Sequence, residues 1–151
     1  MVAKETILRG QSVLRMGACH IRRSSSPTKI AVEQGSKIEA GILDWDGFVL
    51  QIELLANAKP LEKQTPMVAA FFPKLVNGEL NIDLNTELQP GKRHEFLLLE
   101  CTDKKLSEKF PGTFDTVQFP DDGSDWSIRY EDERIVIVAD RTKQPIIDGV
   151  Q

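Results

Sequence analysis

The sequence is poor in the residues on which covalent catalysis depends. Two cysteines, two histidines and one tyrosine occur among 151 residues. His20 and His94 are the only histidines that could act as the base beside a nucleophile, and no nucleophile elbow or phosphate-binding glycine loop accompanies them. The scarcity favours a protein that is not an enzyme and needs no cofactor.

Metal and disulfide chemistry are also weakly supported. The four soft ligands match no zinc spacing, and neighbouring residues of a strand point to opposite faces. Two aspartate–glycine segments, at 44–47 and 121–125, lack the full spacing of a calcium loop and are explained by turn formation. We therefore predict no metal site, and thiols rather than a disulfide. The four soft ligands are Cys19, His20, His94 and Cys101.

Long apolar runs are absent. The longest uncharged apolar stretches, Met67–Pro73 and Phe96–Leu99, are far too short to cross a bilayer. The N-terminal residues do not resemble a secretory signal, because charged residues interrupt every apolar run. With 40% apolar and 28% charged residues, the composition is that of a globular protein. We expect one soluble, cytoplasmic domain over residues 1–151, without a membrane partner.

Charge is distributed unevenly along the chain. The net charge is -4, yet residues 1–30 contain six cations and one anion. This basic N-terminal segment, 1–26 in our division, either packs against the acidic remainder or contacts a partner. It lacks interleaved aromatic residues and the pI is about 5.2, so nucleic acid is an unlikely ligand. The partner-binding candidates within it are Arg9, Arg15, Arg22 and Arg23.

Two dipeptides predict tight hairpins. Asp46-Gly47 and Asn77-Gly78 each lie between two apolar-rich segments. Both pairs tolerate the positive φ angles that a two-residue hairpin turn requires. The alternation of apolar and polar residues on either side is typical of half-buried strands. We therefore predict two antiparallel hairpins.

A third turn extends the second hairpin. Pro90-Gly91 fits the central positions of a type II turn, so residues 92–101 are predicted to return as a third antiparallel strand. Pro73 has no backbone donor, so its strand is predicted to lie at an edge or to contain a bulge. This makes Pro73 a candidate position for partner binding.

The whole pattern predicts a mainly β fold. About nine or ten short strands, with turn signals every eight to twelve residues, favour an antiparallel β-sandwich or barrel. The last two strands are predicted on either side of an acidic turn at 131–133. One short helix is expected at 103–110, between Thr102 or Asp103 and Pro111, and a surface tail at 141–151.

Function is less constrained than fold. The leading hypothesis is a non-enzymatic binding or assembly module that acts through protein–protein contact or self-association, at an edge strand or an exposed apolar face. A second is a small-ligand barrel, or an enzyme built on one, with Trp45, Trp126 and Tyr130 lining the pocket. A third is binding of an anionic polymer by the N-terminal arginines.

Overall fold

The computed structural model describes residues 5–102 and 112–143, and β-strands dominate both ranges. The mainly β prediction is confirmed, with nine strands in the described residues. The predicted helix at 103–110 lies outside these residues, as does most of the predicted tail. Within the described ranges, no helix has the length and apolar character needed to span a membrane. The elements are β1 (Glu5–Leu8), β2 (Val13–Ile21), β3 (Thr28–Glu33), β4 (Lys37–Leu54), a 3-10 helix (Leu61–Lys63), β5 (Val68–Leu84), β6 (Arg93–Cys101), β7 (Thr116–Gln118), β8 (Asp125–Glu131) and β9 (Arg134–Asp140).

Two long parallel strands, β4 and β5, organise the sheet. Their register runs from Ile38 opposite Val68 to Leu54 opposite Leu84. On the other side of β4, β2 pairs in parallel with its first half and β3 with its second half. On the far side of β5, β6 pairs in parallel with its start and β7 with its later part, while β1 pairs with β3. Each successive segment of the chain therefore lies parallel beside the segment before it, as in a β-helix. We call this arrangement the parallel coil and each segment one pass of the coil.

The two predicted hairpins are wrong, because both dipeptides form bends inside continuous strands. Gly47 has a φ of 81° and Asn77 a φ of 53°. The two bends stack on one another, and Asn77 Nδ2 donates a hydrogen bond of 2.7 Å to Asp46 Oδ1. At the first bend two residues, Asp46 and Gly47, separate the buried residues Trp45 and Phe48, where a regular strand would have one. The arms of β4 before and after the bend therefore bury side chains in the same interior. A corner and a hairpin turn both need positive φ, which explains why the sequence pattern favoured the hairpin.

Antiparallel pairing is confirmed only toward the C-terminus. β9 pairs antiparallel with both β6 and β8, and the predicted turn at 131–133 joins β8 to β9. The meander predicted through Pro90-Gly91 is wrong, since β5 and β6 run parallel. The strand order is β1-β3-β4-β5-β6-β9-β8, with β2 beside β4 and β7 beside β5.

One apolar cluster holds the passes of the coil together. It combines inward side chains from both arms of β4 and β5 with residues of β2, β3, β6 and β9. Trp45 lies at its centre, fully buried, with its ring centroid 5.2 Å from that of Phe48. Phe48 in turn makes an edge contact with Phe114 at 6.1 Å. Burial of these large side chains supplies most of the drive to fold.

Ion pairs cross the antiparallel end of the sheet. Arg129 on β8 contacts Glu95 on β6 at 2.6 Å and Glu131 at 2.5 Å, and Arg134 on β9 contacts Glu131 at 2.7 Å. The hydrogen bond from Arg129 lowers the pKa of Glu95, and that from Arg134 lowers the pKa of Glu131. These carboxylates are therefore stabilised in the ionised form when the protein is folded.

Acid is expected to weaken this end of the sheet. A carboxyl with a lowered folded pKa contributes stability above its unfolded value, here 4.5, and loses it as the pH falls through the folded value. Arg129→Met should therefore lower the urea midpoint clearly at pH 7 and less at a pH low enough to protonate both carboxylates in the folded protein. Lys92→Gln, an exposed control, should change neither midpoint. Equal losses for Arg129→Met at both pH values would contradict this assignment.

Candidate interaction surface

The outer edge of β2 has no strand partner in the part of the chain that the structure describes. β2 is nine residues long and pairs only with β4. Lys37 N donates to Ser12 O at 2.9 Å, so Ser12 faces β4. Backbone groups alternate sides along a parallel strand, so those of Val13 point away from β4. We call this unpaired side of β2 the leading edge.

Two glycines allow β2 to lie close to β4 at this edge. A Cβ atom added to Gly41 would lie 2.7 Å from the carbonyl oxygen of Gly17. That separation is shorter than any normal contact between these atoms, so no side chain fits at Gly41. The buried positions of β2 step from Met16 to Cys19 across the same corner.

The exposed side chains along the leading edge are of mixed character, because apolar Val13 and Ala18 alternate with Arg15 and His20. Arg15 Nε lies 2.8 Å from Glu39 Oε2, and its side chain is 75% exposed. Hydrogen bonds from Lys37 and Arg15 lower the pKa of Glu39. Cys19 faces inward, and burial raises the pKa of its thiol although Trp45 Nε1 lies 3.2 Å from its sulfur. Cys19 is therefore poorly suited to act as a nucleophile.

An apolar corner adjoins the leading edge. Ala18, Ile42 and Phe72 are in register on β2, β4 and β5, and Phe71 precedes Phe72. Ile42, Phe71 and Phe72 are 45%, 51% and 50% exposed. A groove of about 640 Å³ runs beside them, between Arg15 and Phe71. A cluster of large, exposed apolar side chains is typical of an interaction surface.

The outer edge of β8 also has no strand partner among the described residues. This unpaired side, which we call the trailing edge, lies at the opposite end of the strand order. Asp125 at its start has a side chain 67% exposed. Its far end leads into the turn that contains Asp132, which is exposed. The trailing edge thus has an exposed carboxylate at each end, and the Asp125 carboxylate lies 3.8 Å from the ammonium group of Lys143.

Three of the four predicted arginines lie on β2 or directly after it, one near its start and two beyond its end. Arg15 lies on the leading edge, and Arg22 and Arg23 follow β2 directly. The α-carbon of Arg23 lies beside Gly47, 3.1 Å from where a Cβ atom would be. Arg9, between β1 and β2, lines a separate groove of about 210 Å³ that also contains carboxylates.

Pro73 does not occupy an edge strand of the sheet. β5 lies between β4 and β6 in the strand order, and Pro73 pairs with Leu43 of β4. The edge assignment is therefore wrong for β5 as a whole. Because β6 and β7 pair with other parts of β5, no described strand lies beside Pro73 on its second side.

The three aromatic residues predicted to line a pocket all belong to the same apolar cluster, Trp45 within it and Trp126 and Tyr130 packed against it. Trp45 is in the closed core. The ring of Trp126 stacks on Phe119 at 6.2 Å, and its Nε1 donates to Asp122 Oδ1 at 2.7 Å. Tyr130 Oη accepts a hydrogen bond of 3.2 Å from the backbone of Phe114. Each polar atom already has a structural partner, so the arrangement does not converge on a ligand site.

Metal ligation has no local geometry to support it. In residues 5–102 and 112–143, no three histidine, cysteine, aspartate or glutamate side chains are grouped so that they could hold an ion. Sequence reasoning also missed the apolar corner, whose only signal was the Phe71-Phe72 pair.

No protein-family model matches the chain, and no similar curated protein or solved structure was found.

Proposed function

We propose that the protein is an assembly module that associates head to tail with further copies of itself. The leading edge of one copy pairs with the trailing edge of the next. The observation that supports this most directly is that β2 and β8, on opposite sides of the central strands, each have an outer edge without a strand partner among the described residues. Within the same ranges β1 and β7 also have one unpaired side each, but they are only four and three residues long. An unpaired edge presents a row of free backbone donors and acceptors, which another strand readily satisfies.

Strand direction is compatible with this arrangement. β2, β4, β5 and β6 all run parallel, β9 runs antiparallel to β6, and β8 runs antiparallel to β9. β8 therefore runs in the same direction as β2. A second copy displaced along the stacking direction would continue the sheet with a parallel pair, β8 against β2. No reversal of the second copy is needed.

Charge complementarity favours a second copy as the occupant. In a parallel pair the strand ends coincide, so Asp125 of β8 lies near the start of β2 and Arg15. The far end of β8, with the exposed Asp132, lies near Arg22 and Arg23. Acidic groups thus meet basic groups at both ends, which steers association and fixes orientation. The uneven charge noted in the sequence acquires a role in this arrangement.

The symmetry of such a contact determines which kind of assembly forms. Different surfaces of the two copies meet, so the interface is heterologous and continues into a filament or closes into a ring. We propose the cytoplasm as its compartment, since the sequence has only two cysteines, Cys19 and Cys101, and both are buried, as cysteines of proteins in a reducing compartment commonly are.

Val13→Pro is expected to block assembly without unfolding the protein. Proline removes the outward backbone donor of Val13, whose side chain is 51% exposed, and leaves the bonds to β4 in place. Its association constant should fall at least about tenfold, from lost hydrogen bonding and steric obstruction. Sedimentation velocity over a concentration series measures this directly.

Val13→Thr is the matched control, because threonine keeps the β-branched shape and the backbone donor. It should assemble like the wild type, and assembly of both should weaken with added salt. A wild type that stays monomeric at high concentration would refute the proposal. So would a Val13→Pro variant that keeps its urea midpoint and assembles as the wild type does.

A further inference from the structure

A cleft that begins beside Val13 at the start of the leading edge contains only one sign of charge. It has a volume of about 380 Å³ and lies where the corner at 34–36 approaches the loop that carries the 3-10 helix. Three lysines line it, Lys37, Lys59 and Lys63, and none of the described residues in its lining is aspartate or glutamate. In a chain of net charge -4, this is a local reversal of sign.

Two of the three lysines are available to a ligand. Lys59 and Lys63 are exposed. Lys59 precedes the 3-10 helix and Lys63 is its last residue, and a 2.9 Å bond from Lys63 N to Pro60 O closes the turn. No carboxylate of the described residues lies within 4 Å of either ammonium group. Lys37 differs, because its ammonium lies 2.8 Å from Glu39.

The walls of the cleft are held in place by side-chain amides. Gln64 Oε1 accepts from Leu97 N at 2.8 Å, and Gln64 Nε2 donates to Lys59 O at 2.7 Å. Gln34 Oε1 accepts from Leu55 N at 2.7 Å. These amides are occupied by the backbone, which makes the cleft rigid and leaves the lysine ammonium groups as its main free donors. A preformed site loses less entropy on binding.

We propose that this cleft binds a small organic anion with two negative charges. Lys59 and Lys63 each contact one charged oxygen through a charge-assisted hydrogen bond. Met67 and Leu97 also line the cleft, and both are nearly fully buried, so they supply its apolar part. Phosphate monoesters and dicarboxylates share this chemistry. The two binding lysines lie outside the leading and trailing edges, but Val13 of the leading edge lines the same cleft. The titration is therefore made at a protein concentration at which the wild type is a monomer, so that its result does not depend on self-assembly.

Titration calorimetry at low salt tests the proposal with glycerol 3-phosphate, succinate and, as a neutral reference, glycerol. At least one dianion should bind, and glycerol should not. Tighter binding of glycerol 3-phosphate identifies phosphate esters as the ligand class, and tighter binding of succinate identifies dicarboxylates. Lys59→Gln and Lys63→Gln should each weaken binding by about tenfold or more.

Lys92→Gln serves as the control, since Lys92 is exposed and lies outside the cleft. Its affinity should equal that of the wild type. Three outcomes would overturn the proposal: no heat with either dianion, unchanged affinity in both cleft variants, or equal weakening in all three variants. The last result would indicate attraction to a general cationic surface. Circular dichroism confirms that each variant is folded before it is titrated.

Discussion

Gly78→Ala is expected to destabilise the protein by about 3 kcal/mol, although alanine usually favours a strand over glycine. Gly78 pairs across the sheet with Phe48. A Cβ atom at Gly78 would lie 2.1 Å from Phe48 Cζ and 2.4 Å from Cε1. Phe48 is almost completely buried and cannot move without disturbing Trp45 and Phe114. The added methyl group therefore displaces part of the core.

Urea unfolding measures this effect, with Gly17→Ala as the matched control. Gly17 also lies in a strand, but a Cβ atom there would have no neighbour within 4 Å. We expect Gly17→Ala to change the free energy of unfolding by less than about 1 kcal/mol. The double variant Phe48→Leu with Gly78→Ala should lose less than the sum of the two single changes. Strict additivity, or a Gly78→Ala variant as stable as Gly17→Ala, would contradict the close packing of the ring on Gly78.

The Asn77-Gly78 pair shows why strand content was predictable but strand direction was not. Asn77, not Gly78, adopts the positive φ, and glycine is required at 78 because the Phe48 ring lies over it. A hairpin and a corner of a parallel coil make the same local demand on residue type. Only the partner across the sheet distinguishes them, and that partner is 30 positions away in sequence.

The sequence pattern predicted the strand pairing correctly where the paired strands are neighbours in sequence. The acidic turn between β8 and β9 joins two neighbouring antiparallel strands, as its sequence predicts. Pro73, by contrast, is tolerated inside a central strand because β6 and β7 pair with other parts of β5. The rule that places proline at an edge holds locally here and fails for the strand as a whole.

The candidate interaction surface was partly predictable. The basic character of the N-terminal segment indicated Arg15, Arg22 and Arg23, which the coil gathers near the leading edge. The exposure of Ile42 and Phe72 was not predictable from the sequence. At the corner that contains Gly17 and Gly41 the regular alternation of buried and exposed positions is interrupted, and these apolar side chains point outward as a result. The cationic cleft was missed for a similar reason, since Lys59 and Lys63 are close in sequence but the remaining walls of the cleft come from distant segments.

Head-to-tail pairing predicts that two assembly-defective variants will complement each other. Val13→Pro blocks the leading edge but leaves the trailing edge intact. The double change Asp125→Lys with Ser127→Lys places positive charge along the trailing edge, where it faces the basic leading edge of a neighbour. Both substituted positions are exposed, so the fold should be retained. Each variant keeps the one surface that the other has lost.

Sedimentation velocity of the two variants, alone and mixed in equal amounts, tests the proposed assembly most directly. Each variant alone should sediment as a monomer. The mixture should form a dimer with one copy of each variant and no larger species, because the second surface of each copy is blocked. A mixture that remains monomeric, or a variant that assembles alone as the wild type does, would contradict pairing of the leading edge with the trailing edge.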